Sequence, residues 1–184
     1  TDARLPRFCG GLVGYFGYDT VRYIEKRLAR VDKRDELGTP DILLLVSEEI
    51  AIVDNVSGKL SLVVYAEPGK PGAWAAARAR LAALLQKLRA PGQLPDSAPT
   101  QSEPAVSGFG QSAYHQAVER AKQYIYEGDI MQVVPSQRMS KPFHATPLSL
   151  YRALRTLNPS PYMFYFDLED FHVVGASPEI LARL

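Results

Sequence analysis

Several features that mark particular classes of protein are scarce or missing in this sequence. It has one cysteine, Cys9, among 184 residues, so an internal disulfide is impossible and a reducing cytoplasm fits best. No apolar run approaches the roughly 18 residues that a membrane-spanning helix needs. The formal net charge is +1, so neither nucleic acid nor an anionic membrane is indicated as a partner. The composition predicts an ordinary globular protein of the cytoplasm.

The short motifs of several enzyme classes are also missing. The sequence has no GxSxG, no cysteine pair and no GK[ST], which argues against a serine hydrolase, a metal finger and a P-loop enzyme. The glycines in 8–18 lack the GxGxxG spacing of a dinucleotide site, so we interpret them as packing glycines. His115, His144 and His172 have no sequence-local ligand partners, which favours surface or packing roles and predicts no metal ligands here.

The first half of the sequence predicts short strands and one long helix. Apolar residues alternate on both sides of Asn55-Val-Ser-Gly58, which has the residues of a hairpin turn. The apolar run at 41–46 is typical of a strand buried on both faces, and we expect it to complete a three-stranded antiparallel sheet. Residues 73–89 repeat apolar side chains at helical spacing, which predicts a helix lying on that sheet. That helical stripe comprises Trp74, Ala77, Leu81, Leu84, Leu85 and Leu88. The other predicted elements are a strand at 8–18, a helix at 18–28 and the hairpin strands at 49–54 and 60–65.

The second half follows a segment that is too poor in apolar residues to pack. Residues 90–111 combine prolines with Gly, Ser and Gln, which predicts a mobile linker. Ser112 is expected to cap the next helix, which Gly128 ends, and residues 130–137 predict a strand. The remaining predicted elements are a helix from Pro147 to near Asn158 and a hairpin with strands at 162–168 and 171–175.

The mixed order of strands and helices indicates an α+β protein. We expect a β-rich first part at 1–89, the linker at 90–111 and a motif-bearing part of the same domain at 112–184. Three polar residues, Gln132, Ser177 and Glu179, lie in or at the ends of apolar strands, where a polar side chain costs free energy unless it has a partner or a ligand. These three are the first candidates for a site.

Three strings carry a family resemblance: GDIMQVVPSQR at 128–138, NPSPYMF at 158–164 and GASPE at 175–179. They resemble the chorismate-utilising enzymes, and within them the large, synthase subunit of anthranilate synthase. The resemblance extends over nearly the whole chain apart from 91–110. It implies a partial αββα layered sandwich, in which two stacked, mostly antiparallel sheets carry outer helices. Since family members are much longer, we expect a central fragment, incomplete at both ends and inactive by itself.

The resemblance also implies an activity. The enzymes that it points to convert chorismate and ammonia to anthranilate and pyruvate with Mg²⁺, and tryptophan inhibits them. A separate glutamine amidotransferase subunit, component II, delivers the ammonia. The Mg²⁺ ligands and the catalytic histidine of the family are expected outside this chain.

Two residues of this chain are expected to be catalytic by the same resemblance. Glu179 matches the family's active-site glutamate, and a carboxyl shielded from water can keep a proton and give it to the leaving hydroxyl. The alternative is a carboxylate that only complements a helix N-terminus. Gln132 stands where water-adding relatives carry lysine; because an amide cannot act as a base, it favours the ammonia-adding branch. The alternative for Gln132 is a polar strand residue that pairs with backbone groups.

The turn after the predicted helix from Pro147 is expected to bind the inhibitor. In the resembled enzyme this turn lines the tryptophan site, and methionine and tyrosine suit an indole ring. The expected effector residues are Asn158, Pro159, Pro161, Tyr162, Met163, Phe164 and Gly175. The alternative is that Tyr162 and Met163 are plain core residues.

Two further hypotheses about function remain open. One is the aminodeoxychorismate synthase or isochorismate synthase branch of the same family. The other is a non-catalytic module that binds the effector or a partner protein.

Overall fold

The computed structural model describes residues 5–30, 35–92 and 103–183. The chain divides into two compact units, Thr1–Gln93 and Leu94–Leu184. The described residues form a mixed α/β structure in which the strands pair into two-stranded antiparallel sheets. Within these ranges, no helix has the length and apolar character needed to cross a membrane.

The first unit contains a ribbon of β1 (Gly11–Phe16) and β2 (Ile42–Ser47). Gly14 lies opposite Leu44, and a Cβ at Gly14 would collide with the carbonyl group of Leu43. This collision confirms a packing role for that glycine. The helix predicted at 18–28 is wrong in length, because it consists of a 3-10 helix at Tyr18–Thr20 and α1 at Val21–Ile24.

The predicted hairpin is confirmed as β3 (Glu49–Asp54) and β4 (Lys59–Val64). The carboxylate of Asp54 organises its turn by accepting hydrogen bonds from the Ser57 hydroxyl (2.6 Å) and from the backbone N–H groups of Val56 (2.9 Å) and Ser57 (3.2 Å). These hydrogen bonds, led by that of the Ser57 hydroxyl, hold the pKa of Asp54 below its ordinary value. Gly58 completes the turn at a φ of 66°.

The predicted three-stranded sheet is wrong, because in the described residues β2 pairs with β1 and β3 pairs with β4. Only Glu48 separates β2 from β3. An antiparallel turn needs at least two loop residues, so these two strands cannot fold back on each other.

The prediction that 41–46 is buried on both faces is also wrong. Because directly opposed residues of an antiparallel pair share a face, one side of the β1–β2 ribbon is wholly apolar. We call this side the Leu12 face, and its large side chains, all exposed, are Leu12, Phe16, Ile42, Leu44 and Val46. Val46 alone is 69% exposed. No described element of the first unit covers this surface.

The helix predicted at 73–89 is confirmed as α2 (Ala73–Arg89), which packs on β4. Ala77 is the one buried residue of its predicted apolar stripe, whereas Trp74 is 73% exposed. Arg80 attaches the helix to the hairpin by donating to the carbonyl oxygen of Tyr65 and by an ion pair with Glu49 (3.4 Å). The face that was predicted to be covered is therefore only partly covered.

The second unit begins its helical part with α3 (Gln111–Tyr126). The helix starts two residues earlier than predicted, because Gly110 and not Ser112 is in the capping position, and the Ser112 hydroxyl instead accepts from the side-chain amide of Gln116 (3.3 Å). Gly128 ends the helix as predicted, at a φ of 84°. The N–H of Gly128 donates to the carbonyl oxygen of Ile125 (3.1 Å), and the N–H of Asp129 donates to the carbonyl oxygen of Tyr124 (3.0 Å). This is the hydrogen-bond pattern of a Schellman motif.

The strand predicted at 130–137 is wrong. This segment pairs with no strand of the described residues, and its contact with α3 is a hydrogen bond from the Tyr114 hydroxyl to the carbonyl oxygen of Pro135 (3.2 Å). Pairing starts only at β6 (Met139–Ser140), which meets β5 (Val106–Ser107). The predicted linker at 90–111 thus contains a short strand, and its residues 93–102 lie outside the described part of the chain.

The last elements are as predicted. Helix α4 (Pro147–Leu157) begins at Thr146, whose hydroxyl accepts from the N–H of Ser149 (3.2 Å). The strands β7 (Tyr162–Asp167) and β8 (His172–Ser177) form the hairpin, and both contact α4. The turn between them includes Glu169 at a φ of 64°. This helix-and-hairpin arrangement carries most of the predicted site residues.

Candidate functional site

The predicted effector residues lie in the connection between α4 and β7 and on the first residues of β7, except for Gly175, which lies on β8. We call residues 158–164 the Asn158 turn. Asn158 ends α4, and its N–H donates to the carbonyl oxygen of Leu154 (2.8 Å). Tyr162 is 44% exposed, whereas Met163 is half-buried. An aromatic residue and a methionine of the turn are thus both partly open to solvent.

Ser160, a residue that the sequence reasoning missed, fixes this turn. Its hydroxyl accepts from the N–H of Tyr162 (3.3 Å) and donates to the carbonyl oxygen of Ser177 at the end of β8. The first of these bonds is a local serine turn, for which a serine two residues before a strand is the available sequence signal. The second bond joins residues far apart in the sequence, and no local pattern predicts it.

Ser177 links the hairpin to Glu179. It is the last paired residue of β8 and lies opposite Tyr162. Its hydroxyl donates to the carbonyl oxygen of Glu179 (3.0 Å). The Glu179 side chain is exposed, so the described residues do not supply the shielding that a proton-donating carboxyl needs. The structure therefore fixes the backbone around Glu179, and its catalytic role stays a prediction.

Gln132 lies apart from this arrangement. Its side chain is exposed in the unpaired segment 130–137. Across the described ranges, no hydrogen bond or ion pair links Gln132 to Glu179 or to the Asn158 turn. The structure brings Glu179 and the Asn158 turn together through Ser177, but it does not bring the two predicted catalytic residues together.

Phe164 and Gly175, two predicted effector residues, are in direct contact. They are opposed across the β7–β8 ladder, and the Phe164 ring occupies the space that a Cβ at Gly175 would need. The same ring stacks on Phe166, with centroids 5.6 Å apart. Both residues thus pack against each other at the end of the Asn158 turn.

Comparison with known proteins identifies the family of this chain. A family model described as chorismate binding enzyme matches residues 2–184. The chain belongs to this family. The anthranilate synthase component 1 of Neisseria meningitidis serogroup B is 56% identical over 182 residues, which cover 97% of this chain and 37% of that protein. The protein of the same name from Pseudomonas aeruginosa is 54% identical over 185 residues, which cover 98% and 38%.

A solved structure agrees with these similarities. The crystal structure of anthranilate synthase component I from Streptococcus pneumoniae matches with a TM-score of 0.78 and 30% identity, over 94% of this chain and 39% of that one. The mixed α/β fold is therefore shared with that protein. This chain spans less than two fifths of the length of these relatives.

The side chains that could bind a metal ion are dispersed over the described residues. In the part of the chorismate binding enzyme that the structure describes, no group of three or more His, Cys, Asp or Glu residues could hold a metal ion. Of the histidines, His172 contacts Asp167 (3.3 Å) across the hairpin and His144 contacts Glu103 (3.6 Å). Both are ordinary surface pairs.

A cavity of about 650 Å³ opens in the first unit, beside the beginning of α2. Its charged lining residues include Glu48, Lys70 and Arg80. Arg80 is already occupied by Glu49 and by the carbonyl oxygen of Tyr65. The predicted catalytic and effector residues belong to the second unit, and none of them lines this cavity.

Proposed function

We propose that the chain is part of an anthranilate synthase component 1, which converts chorismate and ammonia to anthranilate, pyruvate and water. The observation that supports this most strongly is the 56% identity, over 97% of the chain, to the Neisseria meningitidis protein of that name. The proposal includes a cytoplasmic location and a glutamine amidotransferase partner, component II, as the source of ammonia. In the longer protein, the small sheets would form part of a layered sandwich.

Glu179 is the proposed proton donor. When the nitrogen of ammonia bonds to the ring of chorismate, the ring hydroxyl leaves as water and must receive a proton. Glu179 lies two residues after the end of β8, and its carbonyl oxygen accepts a hydrogen bond from the Ser177 hydroxyl (3.0 Å), so the end of the sheet positions its backbone. Its exposed carboxyl is free to face a substrate that the rest of the longer protein would enclose.

Gln132 supports the choice of ammonia over water as the nucleophile. A water-adding enzyme needs a base, and a carboxamide cannot accept a proton near neutral pH. Gln132 is exposed and without an internal hydrogen bond in the described residues, so the carbonyl oxygen and the NH2 group of its carboxamide are both available to a ligand. This argues against an isochorismate synthase.

The Asn158 turn is the proposed site of tryptophan inhibition. Tyr162 and Met163 offer partly exposed apolar surface, and thioethers make favourable contacts with aromatic rings. Pro159 and Pro161 restrict the backbone on both sides of Ser160, so the turn has few conformations to lose when a ligand binds.

Mg²⁺ is the cofactor that the family resemblance implies. The described residues do not fit such an ion, because no suitable group of ligands occurs among them. We propose that other parts of the longer protein bind it, and no role assigned above depends on it.

The test is a chimera in which this chain replaces the matching 182-residue stretch of the Neisseria meningitidis protein. Chorismate, Mg²⁺ and ammonium would be supplied, and the products identified by mass spectrometry. We expect anthranilate and pyruvate, and inhibition by tryptophan. Formation of isochorismate or aminodeoxychorismate, or no turnover by a folded chimera while the unaltered relative is active, would overturn the proposal.

The ammonia source is tested separately. With component II present, glutamine should replace ammonium as the nitrogen donor. The isolated 184-residue chain is the negative control, and we expect it to form no anthranilate. That result would show that the chain is a segment of an enzyme and does not catalyse the reaction by itself.

A further inference from the structure

We propose that Ser160 is a positioning residue that couples the Asn158 turn to Glu179, so that tryptophan bound at the turn changes the placement of the catalytic carboxyl. This inference rests on the proposed function and adds the route of its regulation. It is carried by three hydrogen bonds that meet at Ser160 and Ser177.

The first step of the route lies inside the turn. Ser160 stands between Pro159 and Pro161, whose rings fix the backbone φ on both sides. Its hydroxyl accepts from the N–H of Tyr162 (3.3 Å), which ties the serine side chain to a residue proposed to contact tryptophan. A ligand that moves Tyr162 must therefore move Ser160 or break this bond.

The second step crosses to the neighbouring strand. The Ser160 hydroxyl, in a half-buried position, donates to the carbonyl oxygen of Ser177. Ser177 is the last residue that the β7–β8 ladder holds, and the described residues after it, 178–183, belong to no strand. The bond from Ser160 therefore acts where the backbone leaves the sheet.

The third step reaches the proposed catalytic residue. The hydroxyl of Ser177 donates to the carbonyl oxygen of Glu179 (3.0 Å), which closes a turn around Pro178. A shift of Ser177 is thereby passed to the backbone of Glu179 over two residues. Since proton transfer depends on hydrogen-bond distance, a small displacement of Glu179 is enough to change turnover.

The ladder and the serine bond have separable roles. Six opposed pairs, from Tyr162–Ser177 to Asp167–His172, hold the hairpin together without Ser160. Removing the Ser160 hydroxyl should therefore leave the hairpin and the ligand surface of Tyr162 and Met163 in place. The substitution removes only the hydrogen bond that connects the turn with Tyr162 and Met163 to the segment that carries Glu179.

The experiment uses the chimera and three variants of it. For each protein, tryptophan affinity is measured by calorimetry, and kcat/KM for chorismate is measured without tryptophan and with saturating tryptophan. The ratio of the two kcat/KM values reports the coupling, and the affinity reports binding. Ser160→Ala removes the hydroxyl, Ser160→Thr keeps it, and Thr156→Ala removes a hydroxyl that donates only within α4, to Arg152 (3.0 Å).

Ser160→Ala should reduce the coupling ratio at least fivefold while tryptophan affinity changes less than threefold. Ser160→Thr should keep at least half of the coupling, and Thr156→Ala should match the parent chimera. An unchanged ratio in Ser160→Ala, or a loss of tryptophan affinity that accounts for the weaker inhibition, overturns the inference. If Ser160→Ala does not fold, the coupling ratio is measured in Ser177→Ala instead. A ratio that stays at the parent value then overturns the inference, and a ratio that falls at least threefold supports it.

The failure of this inference differs from failure of the proposed function. A parent chimera that makes no anthranilate, or that tryptophan does not inhibit, overturns both. A parent chimera that is active and inhibited, with equal coupling in Ser160→Ala, overturns the coupling route alone.

Discussion

The ring of Phe164 lies against the α-carbon of Gly175, its directly opposed partner across the β7–β8 ladder. A side chain at position 175 would occupy the space of this ring. Because Phe164 also stacks on Phe166, it cannot move without disturbing a second aromatic contact. The packing of Phe164 at the end of the Asn158 turn therefore requires a glycine at position 175 of the neighbouring strand.

Gly175→Ala in the chimera should therefore weaken tryptophan inhibition and destabilise the fold by about 1–3 kcal/mol, the usual cost of overpacking. Thermal unfolding and the tryptophan inhibition constant are the measurements. Gly108→Ala is the matched control, because a Cβ there would meet only the carbonyl oxygen of Arg138 at 3.7 Å. Equal effects of the two substitutions would contradict the packing argument.

Glu179→Gln removes only the transferable proton while keeping the size of the side chain. We expect kcat for chorismate to fall more than tenfold, or about 1.4 kcal/mol in activation free energy, with tryptophan affinity retained. Glu169→Gln is the control, since Glu169 is an exposed carboxylate at the opposite end of the same hairpin. A fall in kcat of less than tenfold for Glu179→Gln would return Glu179 to a structural role.

Met163→Thr tests the proposed effector surface. Losing some tens of Å² of apolar contact with an indole costs roughly 1 kcal/mol at about 25 cal/mol per Å², so the tryptophan inhibition constant should rise several-fold. The uninhibited kcat/KM should fall much less. Inhibition that stays the same, or a parallel fall in both quantities, would show that Met163 is a core residue only.

The isolated chain should self-associate, because the Leu12 face leaves five large apolar side chains exposed on one ribbon. Light scattering should show species larger than a monomer or a broad, partly unfolded population. Replacing Leu12 and Val46 with threonine should shift the distribution toward monomer, whereas replacing the exposed Val56, which lies in a hairpin turn, should not. A sharp monomer peak, together with strong amide protection in the strands, would count against this expectation.

Local signals in the sequence were sufficient for the elements that close on themselves. Asp54 and Gly58 determine a hairpin within a few residues, Thr146 and Pro147 start α4, and Gly128 ends α3. In each case the residues that make the hydrogen bonds are neighbours in the sequence, so a pattern can indicate them.

Pairing between distant segments could not be predicted in this way. Apolar periodicity shows which face of a strand seeks cover, but it does not name the partner. Residues 130–137 have strand-like composition and find no strand partner in the described chain, while β2 pairs with β1 across a long connection. The bond from Ser160 to Ser177 has the same character, because it spans 17 residues and depends on the hairpin having formed.

The exposure of Trp74 has a practical consequence. It is the one tryptophan in the sequence, and it lies at the beginning of α2 with its indole in water. A solvated indole emits at longer wavelength than a buried one and is readily quenched by small solutes. In any longer protein that packs against α2, the emission would move to the blue and the quenching would fall. The chain therefore contains its own optical reporter of assembly, and no dye needs to be attached to read it.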